Sequence, residues 1–212
     1  MPLLSVADGT SAQAVAGLLK LLFPDAATVL DATYGSGKFW SSLYPLPVRV
    51  TGLDRDPTRA VHVCGDFTQL PFADERFDVV IFDPPYHSDM GRGKASVMGD
   101  RFGTYATLPE LQAAVEQGCR EVWRVSRLGV IVKCMNYIHA SRLVHMTKWI
   151  EDAIPSPLYD EHHLRRSHKM LDPKWGEPLS VYRNHASFLV FRHGSQQHIR
   201  RAPAGGPLGA HV

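Results

Sequence analysis

The sequence predicts an α/β protein in which helices cover both faces of a mostly parallel sheet. Short apolar runs rich in β-branched residues alternate along the chain with segments whose apolar residues recur at helical spacing. Polar clusters follow several of these runs directly, at Asp31–Gly37, Asp54, Asp66-Phe67 and Asp83–Tyr86. Because ligands of such sheets bind beyond the carboxyl ends of the strands, we expect these clusters to share one edge.

Four β-rich runs are predicted in the first half of the chain, over residues 27–31, 48–53, 61–63 and 77–82. A helix over 11–23 precedes them, with Ser11 as its cap and Pro24 after its end. Two shorter helices are expected between the strands. One covers 39–43, and the other begins at Pro57, because proline favours the first helical position.

The second half is predicted to contain a helix over 108–125, a strand over 129–135, a helix over 142–150 and a strand over 187–192. Two further segments have no clear periodicity. Residues 87–105 are polar, contain four glycines and are expected to form a mobile substrate-binding loop. Residues 155–185 are rich in histidine and basic residues, and we expect them to face the substrate.

Length and composition are typical of one globular domain. The chain has 212 residues, of which 44% are hydrophobic and 21% charged, so collagen, coiled coils and wholesale disorder are excluded. We expect one domain over residues 1–193. Residues 194–212 are rich in glycine, proline and alanine without a core-forming pattern, and they are predicted to form a disordered tail.

Net charge and cysteine content indicate which cellular compartment and which binding partners to expect. The net charge of +2 neither demands nor excludes a polyanionic partner. The three cysteines lack a C-x-x-C pair, which favours reduced thiols in the core of a cytoplasmic protein and argues against structural zinc. The apolar runs are too short to span a membrane, and the first residues lack the basic start of a secretory signal. We therefore expect a cytoplasmic protein with no metal site and no membrane contact.

The Asp31–Gly37 turn predicts a nucleotide-like ligand when it is considered together with Asp54. Gly35 and Gly37 allow a close backbone approach after a strand, although a tight strand-to-helix turn alone would use the same residues. Asp54 closes the next strand, where a carboxylate accepts both hydroxyls of a ribose. The turn lacks the phosphate-loop sequence and the third glycine of the dinucleotide fingerprint. An adenosine ligand without a diphosphate fits this pattern.

Asp83-Pro84-Pro85-Tyr86 is the most informative motif, because it ends the clearest strand with an unusual set of groups. The two prolines remove two backbone donors and favour an extended chain, which leaves rigid carbonyl acceptors. An amino group on a planar base offers two N–H donors and a π face. Asp83 and the Pro84 carbonyl are suited to accept both N–H groups, and Tyr86 to stack on the ring. A plain proline turn is the alternative interpretation.

These motifs, in the order VLDATYGSG, GLDRDP, GDFTQLPF and VVIFDPPY, resemble class I S-adenosylmethionine-dependent methyltransferases that act on amino groups of nucleic-acid bases. The closing segment 182–192 resembles the end of small bacterial and phage DNA methyltransferases. The resemblance covers residues 27–192 and implies a Rossmann-like fold, with a seven-stranded, mostly parallel sheet and an antiparallel last strand. It implies S-adenosylmethionine as cofactor and the N6 of adenine in DNA as target, reached by base flipping and direct methyl transfer.

The resemblance also implies roles for individual residues. The catalytic set is Asp83, Pro84, Pro85 and Tyr86. The cofactor-binding set comprises Asp31, Thr33, Tyr34, Gly35, Gly37, Asp54, Asp66, Phe67 and Asp83. Asp31 is expected near the methionine part of the cofactor and Asp54 at its ribose. Asp66 and Phe67 are expected at its adenine. Lys133 resembles a lysine in the corresponding strand of small DNA methyltransferases, and no role is assigned to it.

Over these 212 residues, we expect no separate target-recognition domain. Base recognition is therefore expected from the 87–105 loop, from the 155–185 segment or from a protein partner. Basic residues of these two segments are predicted to contact nucleic-acid phosphates: Arg92, Lys94, Arg101, Arg165, Arg166, Lys169 and Arg183. The histidines of the second segment match no zinc signature, and a solvated basic face is the alternative to a phosphate-binding surface.

Two alternative functions remain open. The same pocket would serve a cytosine-N4 DNA methyltransferase or an RNA-base methyltransferase, since RNA targets are often single-stranded. A protein of this fold can also bind nucleic acid or a partner without turnover, as a non-catalytic subunit. The intact Asp83–Tyr86 motif argues against that second role.

Overall fold

The computed structural model describes residues 3–40, 47–59, 62–86, 105–165 and 184–194. Its strands are β1 (Val6–Asp8), β2 (Thr28–Asp31), β3 (Arg49–Asp54), β4 (Val63–Cys64), β5 (Phe77–Phe82), β6 (Ser126–Cys134), β7 (Tyr137–His139), β8 (Arg142–Val144), β9 (Asp160–Arg165) and β10 (His185–Arg192). Eight of them form one sheet in the order β1-β9-β10-β6-β5-β2-β3-β4, and β7 and β8 form a separate hairpin.

The main sheet is mostly parallel. Strands β2 to β6 pair in parallel with one another, and β1 pairs in parallel with β9. Strand β10 is antiparallel to both of its neighbours, β6 and β9. The predicted Rossmann-like class with an antiparallel last strand is therefore confirmed. The sheet has one strand more than the seven expected, because Val6–Asp8 adds to its edge.

Helices cover both faces of this sheet, as predicted. They are α1 (Ser11–Leu22), α2 (Leu108–Val125) and α3 (Met146–Ala153). One core lies between α1 and the sheet face that carries Val29 and Ile81. The other lies between α2 and α3 and the opposite face, which carries Val80 and Phe82. Both faces of the central strands are thus buried, which explains their nearly continuous apolar sequences.

Most predicted elements match the structure closely. Strand β5 and helix α2 have the predicted bounds, and β2 and β3 lie within a residue of theirs. Strand β6 begins at Ser126, three residues earlier than expected. The helix expected from Pro57 is a single 3₁₀ turn, Pro57–Arg59, and the strand expected over 61–63 is Val63–Cys64.

Two local predictions are wrong. The helix predicted over 142–150 begins only at Met146, because Arg142–Val144 pairs with Tyr137–His139 as a hairpin. The helix cap is Thr10 and not Ser11: the Thr10 side chain accepts a hydrogen bond from Gln13 N, and Thr10 N donates one to the Gln13 side-chain Oε1. This reciprocal pair satisfies two free donors at the start of α1.

Several predictions lie outside the described residues. These are the helix over 39–43 beyond residue 40, the 87–105 loop before Tyr105, much of the 155–185 segment and the tail after residue 194. Cys119 and Cys134 are buried as expected, whereas Cys64 is exposed, which corrects the expectation that all three lie in the core. Within the described part of the chain, no helix is long and apolar enough to cross a membrane.

Candidate active site

The predicted clusters after β2, β3 and β5 meet at the carboxyl edge of the sheet. The parallel register places Asp31 beside Gly52 of β3 and beside Ile81 of β5. Two hydrogen bonds then tie the clusters together. Gly35 N donates to Asp54 Oδ2 over 2.7 Å, and Asp83 N donates to Thr33 Oγ1 over 2.8 Å. The loop after β2 is therefore fixed to the ends of both neighbouring strands.

Glycines shape the loop after β2. Gly35 and Gly37 have φ angles of 53° and 67°, in the left-handed region where residues with a Cβ are strained. A Cβ at Gly37 would lie 2.8 Å from the Tyr34 hydroxyl oxygen. A Cβ at Gly52 would collide with the Tyr34 ring, so Tyr34 packs directly on the backbone of β3. The loop is thus folded around Tyr34.

Asp54 lies at the end of β3 with both oxygens partly engaged. Its Oδ2 accepts the bond from Gly35 N, and its Oδ1 accepts one from Asp56 N over 2.9 Å. A carboxylate has about four lone-pair sites, so each oxygen retains capacity for one further donor. The side chain is half-buried, which leaves it accessible from the loop side of the edge.

Asp31 differs from this pattern because it is completely buried. Its oxygens accept hydrogen bonds from Thr33 N over 3.2 Å and from the Trp40 indole Nε1 over 2.7 Å. The pKa of the Asp31 carboxyl is raised to about 7: burial is the main cause and the charges of Asp83 and Asp54 add to it, whereas these two hydrogen bonds act in the opposite direction. Its observed contacts hold the loop and Trp40 in place.

Asp66 and Phe67 lie in a turn after β4. Asp66 Oδ1 accepts bonds from the Thr68 N and Thr68 Oγ1, which is a local turn contact. The Phe67 ring is half-buried and packs against Phe82 with ring centroids 5.1 Å apart. Gly118 of α2 leaves the space for this, since a Cβ there would lie 2.7 Å from Phe67 Cδ2. The Phe67–Phe82 contact therefore packs this turn against the end of β5, next to Asp83.

The Asp83–Tyr86 motif follows β5, which is buried along its whole length. Pro84 and Pro85 are buried, whereas Asp83 and Tyr86 are half-buried. The Tyr86 hydroxyl donates to Asp83 Oδ1, and it also lies 3.4 Å from the Lys133 carbonyl oxygen. The aromatic ring and the carboxylate predicted to act together are therefore in direct contact.

Lys133 is the main addition that the structure makes to the predicted site. Its Nζ donates to Asp83 Oδ2 over 2.5 Å and lies 5.3 Å from the centroid of the Phe39 ring. The lysine side chain is only 10% exposed. The sequence drew attention to Lys133 by resemblance alone, and its partner follows from the pairing of β6 with β5. Trp40, which holds Asp31, carried no signal in the sequence.

Among the residues predicted to contact phosphates, only Arg165 lies in the described part of the chain. It forms an exposed ion pair with Asp8 of β1, with Nε 2.7 Å from Asp8 Oδ1. Such an exposed pair is screened by solvent and contributes little to stability. His162 is buried and bonds to the Leu4 carbonyl, so it faces neither phosphate nor solvent. No metal-binding cluster occurs among the described residues.

A comparison with family sequence models matches residues 30–83 to the methyltransferase domain family. The match runs from the end of β2 to Asp83 and so includes the loop, Asp54 and the turn with Asp66 and Phe67. This part of the chain is therefore similar in sequence to methyltransferase domains, and it lies within the Rossmann-like fold described above. The search of curated proteins found no match.

Solved structures support the same fold. The 1,6-didemethyltoxoflavin-N1-methyltransferase of Burkholderia thailandensis is 15% identical with a TM-score of 0.54, covering 87% of this chain and 79% of that chain. A protein of Bacillus halodurans C-125 assigned as a methyltransferase is also 15% identical with a TM-score of 0.54, covering 88% and 100%. The protein bound to the Trm112 methyltransferase activator of Haloferax volcanii is 16% identical with a TM-score of 0.50, covering 86% and 87%.

The residues of this methyltransferase fold fit S-adenosylmethionine. Among the described residues, a Cβ at Gly35 would meet only the Thr33 carbonyl oxygen, at 3.9 Å, so the backbone there is open to a ligand. Asp54 has acceptor capacity left for ribose hydroxyls. Phe67 offers a half-buried apolar ring for a nucleobase. The acceptors and the open backbone thus match an adenosine-containing molecule such as S-adenosylmethionine.

Proposed function

We propose that this protein is an S-adenosylmethionine-dependent methyltransferase that acts on the exocyclic amino group of a nucleic-acid base, namely the N6 of adenine in DNA. The observation that carries this proposal is the Asp83–Tyr86 motif at the carboxyl end of β5. Its carboxylate, its proline carbonyls and its aromatic ring together suit a planar amino group. The loop that fits the cofactor is hydrogen-bonded to the same motif through Thr33.

The cofactor would be held by the loop after β2, with Asp54 at the ribose and Asp66 and Phe67 at the adenine. When bound, S-adenosylmethionine supplies an activated methyl group, so the protein mainly aligns the acceptor nitrogen. Asp83 and the Pro84 carbonyl accept the two N–H groups of that nitrogen. These bonds favour a more tetrahedral nitrogen and stabilise the positive charge that develops on it. Tyr86 stacks on the base after the base leaves the helix.

Adenine is favoured over cytosine because the motif begins with aspartate, and the resembled cytosine-N4 enzymes more often carry serine there. The proposal also includes contacts between nucleic-acid phosphates and the basic residues predicted from the sequence, namely Arg92, Lys94, Arg101, Arg165, Arg166, Lys169 and Arg183. A protein partner for target recognition also remains part of it, because the protein of similar fold in Haloferax volcanii is bound to an activator.

The test is methyl transfer from labelled S-adenosylmethionine to duplex DNA, single-stranded DNA and total RNA, followed by separation of the modified nucleosides. We expect N6-methyladenine in DNA. Label in RNA or on cytosine would contradict the proposed substrate, but it would still agree with the proposed role of the Asp83–Tyr86 motif. Cofactor binding without label in any pool would instead favour a missing protein partner or a non-catalytic subunit.

The same assay tests Asp83 directly. Asp83→Ala should lower turnover by roughly a hundredfold to a thousandfold, the usual loss when one preorganised polar group is removed. Cofactor affinity should change much less than turnover, because the bond from Asp83 N to Thr33 of the cofactor loop uses the backbone and is kept. Asp74→Ala is the matched control, because Asp74 is an exposed aspartate whose carboxylate pairs with Arg124. Near-normal turnover of Asp83→Ala would contradict the assignment of Asp83.

A further inference from the structure

We propose that Lys133 is a positioning residue that selects neutral amino groups: its ammonium neutralises Asp83 and occupies one carboxylate oxygen. The site then accepts a planar, uncharged amine and rejects an alkylammonium ion. This inference rests on the proposed methyl transfer to an amino group, and it adds a reason for the chemical class of the acceptor.

The position of Lys133 follows from strand pairing. Strand β6 lies beside β5 in parallel, with Val132 paired to Phe82, so Lys133 comes level with Asp83. Its Nζ lies 2.5 Å from Asp83 Oδ2, and the ammonium lies 5.3 Å from the Phe39 ring centroid. The two side chains are 10% and 23% exposed, respectively. This is an ion pair inside the molecule and not a solvated surface pair.

The two oxygens of Asp83 are held in different ways. Oδ2 is bound by Lys133, whose side chain is buried beside a neighbouring strand. Oδ1 is bound by the hydroxyl of Tyr86, which is half-buried in the segment that follows β5. An incoming amino group therefore replaces the Tyr86 hydroxyl at Oδ1 and leaves the lysine in place. One N–H goes to Oδ1 and the other to the Pro84 carbonyl.

Charge gives Lys133 its effect on selectivity. Asp83 and Asp54 both lie close enough to the buried Asp31 that their charges raise the pKa of its carboxyl. Without a compensating cation, the negative charges of Asp83 and Asp54 would make this edge of the sheet attractive to organic cations. The Lys133 ammonium cancels the charge of Asp83 itself. The amino group that receives the methyl group therefore meets a hydrogen-bond acceptor at Asp83 Oδ1, and the Asp83–Lys133 pair as a whole carries no net charge.

Chemical rescue tests this role. Lys133→Ala should lower methyl transfer by roughly a hundredfold, the size expected when a preorganised contact is lost. Ethylammonium should then restore transfer in a saturable manner, because it fits the vacated space and donates to Asp83. Tetramethylammonium should not restore it, because it has no N–H group. Lys133→Arg should retain part of the activity, and wild type should not respond to ethylammonium.

A second measurement does not depend on turnover. In cofactor-free protein, ethylammonium should raise the unfolding temperature of Lys133→Ala and leave that of wild type unchanged. If wild type transfers no methyl group to any substrate, the proposed function fails, and this measurement still decides the role of Lys133. Lys148→Ala is the control, because Lys148 forms an exposed pair with Asp152 on α3.

Clear outcomes would overturn the inference. Wild-type turnover in Lys133→Ala would do so, and so would a folded Lys133→Ala that ethylammonium neither stabilises nor rescues. If Lys133→Ala does not fold, Lys133→Met keeps the buried stem and removes the charge. That variant should lose transfer where Lys133→Arg keeps part of it, and equal turnover of Lys133→Met and wild type would contradict the proposal.

Discussion

Asp54 connects the loop after β2 to the end of β3, and the same side chain is proposed to bind the ribose. Its two oxygens accept bonds from Gly35 N and Asp56 N at 2.7 and 2.9 Å. Each oxygen still has a free lone pair that can accept a ribose hydroxyl. The geometry of the loop and the affinity for the cofactor therefore depend on one carboxylate.

Replacing Asp54 with alanine should weaken cofactor binding. Hydrogen bonds to a charged group contribute about 1.5–3 kcal/mol, so the Kd for S-adenosylmethionine should rise roughly tenfold to a hundredfold in Asp54→Ala. Isothermal titration calorimetry measures this directly. Asp56→Ala should bind normally, because the Asp56 side chain bonds only to Thr58 and Arg59 in the described structure. Unchanged affinity in Asp54→Ala would remove Asp54 from the site.

The sequence pointed to candidate residues for the site, but it did not indicate which other residues those side chains contact. Asp54 and Asp83 are recognisable because each directly follows an apolar run, and Gly35 because it belongs to a glycine-containing turn after such a run. The pair between Lys133 and Asp83 joins residues far apart in the chain, and it exists only because β6 lies beside β5. The bond from Trp40 to Asp31 likewise depends on the fold of the loop. Such contacts require strand order, which a single sequence does not specify.

The contact between β3 and the loop rests on Gly52. The Tyr34 ring lies so close to the Gly52 backbone that a Cβ there would collide with it. Tyr34 N also donates to the Leu53 carbonyl oxygen over 2.9 Å. Strand β3 therefore holds the loop in two ways: Gly52 leaves space for the Tyr34 ring, and the Leu53 carbonyl accepts a hydrogen bond from Tyr34 N.

Gly52→Ala should displace Tyr34 and disturb the loop that it supports. Overpacking of this kind costs about 1–3 kcal/mol of unfolding free energy, and we expect weaker cofactor binding in addition. Chemical denaturation and calorimetry measure the two effects. Gly17→Ala is the control, since the nearest atoms to its new Cβ belong to the flexible Leu3 side chain and alanine favours the helix. Wild-type stability and affinity in Gly52→Ala would show that β3 does not hold Tyr34.

The hairpin of β7 and β8 shows why short elements were predicted less well. Each strand has three residues, which is too short for a periodic pattern. Its turn residues, Ala140 and Ser141, have φ angles of 46° and 61° without the glycine or asparagine that usually marks such a turn. Strand β1 is equally short and pairs only at the sheet edge. Long apolar runs such as β5 were predicted correctly because burial on both faces determines their composition.

At the scale of the whole molecule, the ionised form of the buried Asp31 lowers the stability of the fold. Asp31 is completely buried, and burial together with Asp83 and Asp54 raises the pKa of its carboxyl to about 7 from an ordinary 3.8. The folded state therefore binds this proton more tightly than the unfolded state. The stabilising effect is complete below the unfolded pKa and is lost as the pH rises to the folded pKa. Asp78, with its pKa lowered to about 2, acts only at lower pH.

Asp31→Asn should remove this pH dependence. Between about pH 4 and pH 7, the unfolding free energy of wild type should fall relative to that of Asp31→Asn by up to about 1.4 kcal/mol per pH unit, and the difference should be constant above that range. Urea unfolding at a series of pH values measures it, with Asp25→Asn in an exposed turn as the control. The pH slope separates the charge of Asp31 from its hydrogen bonds, because loss of the Trp40 bond lowers stability equally at every pH. A difference that does not vary with pH would mean that Asp31 is already ionised throughout the range, and that the cluster of carboxylates does not destabilise the fold near neutral pH.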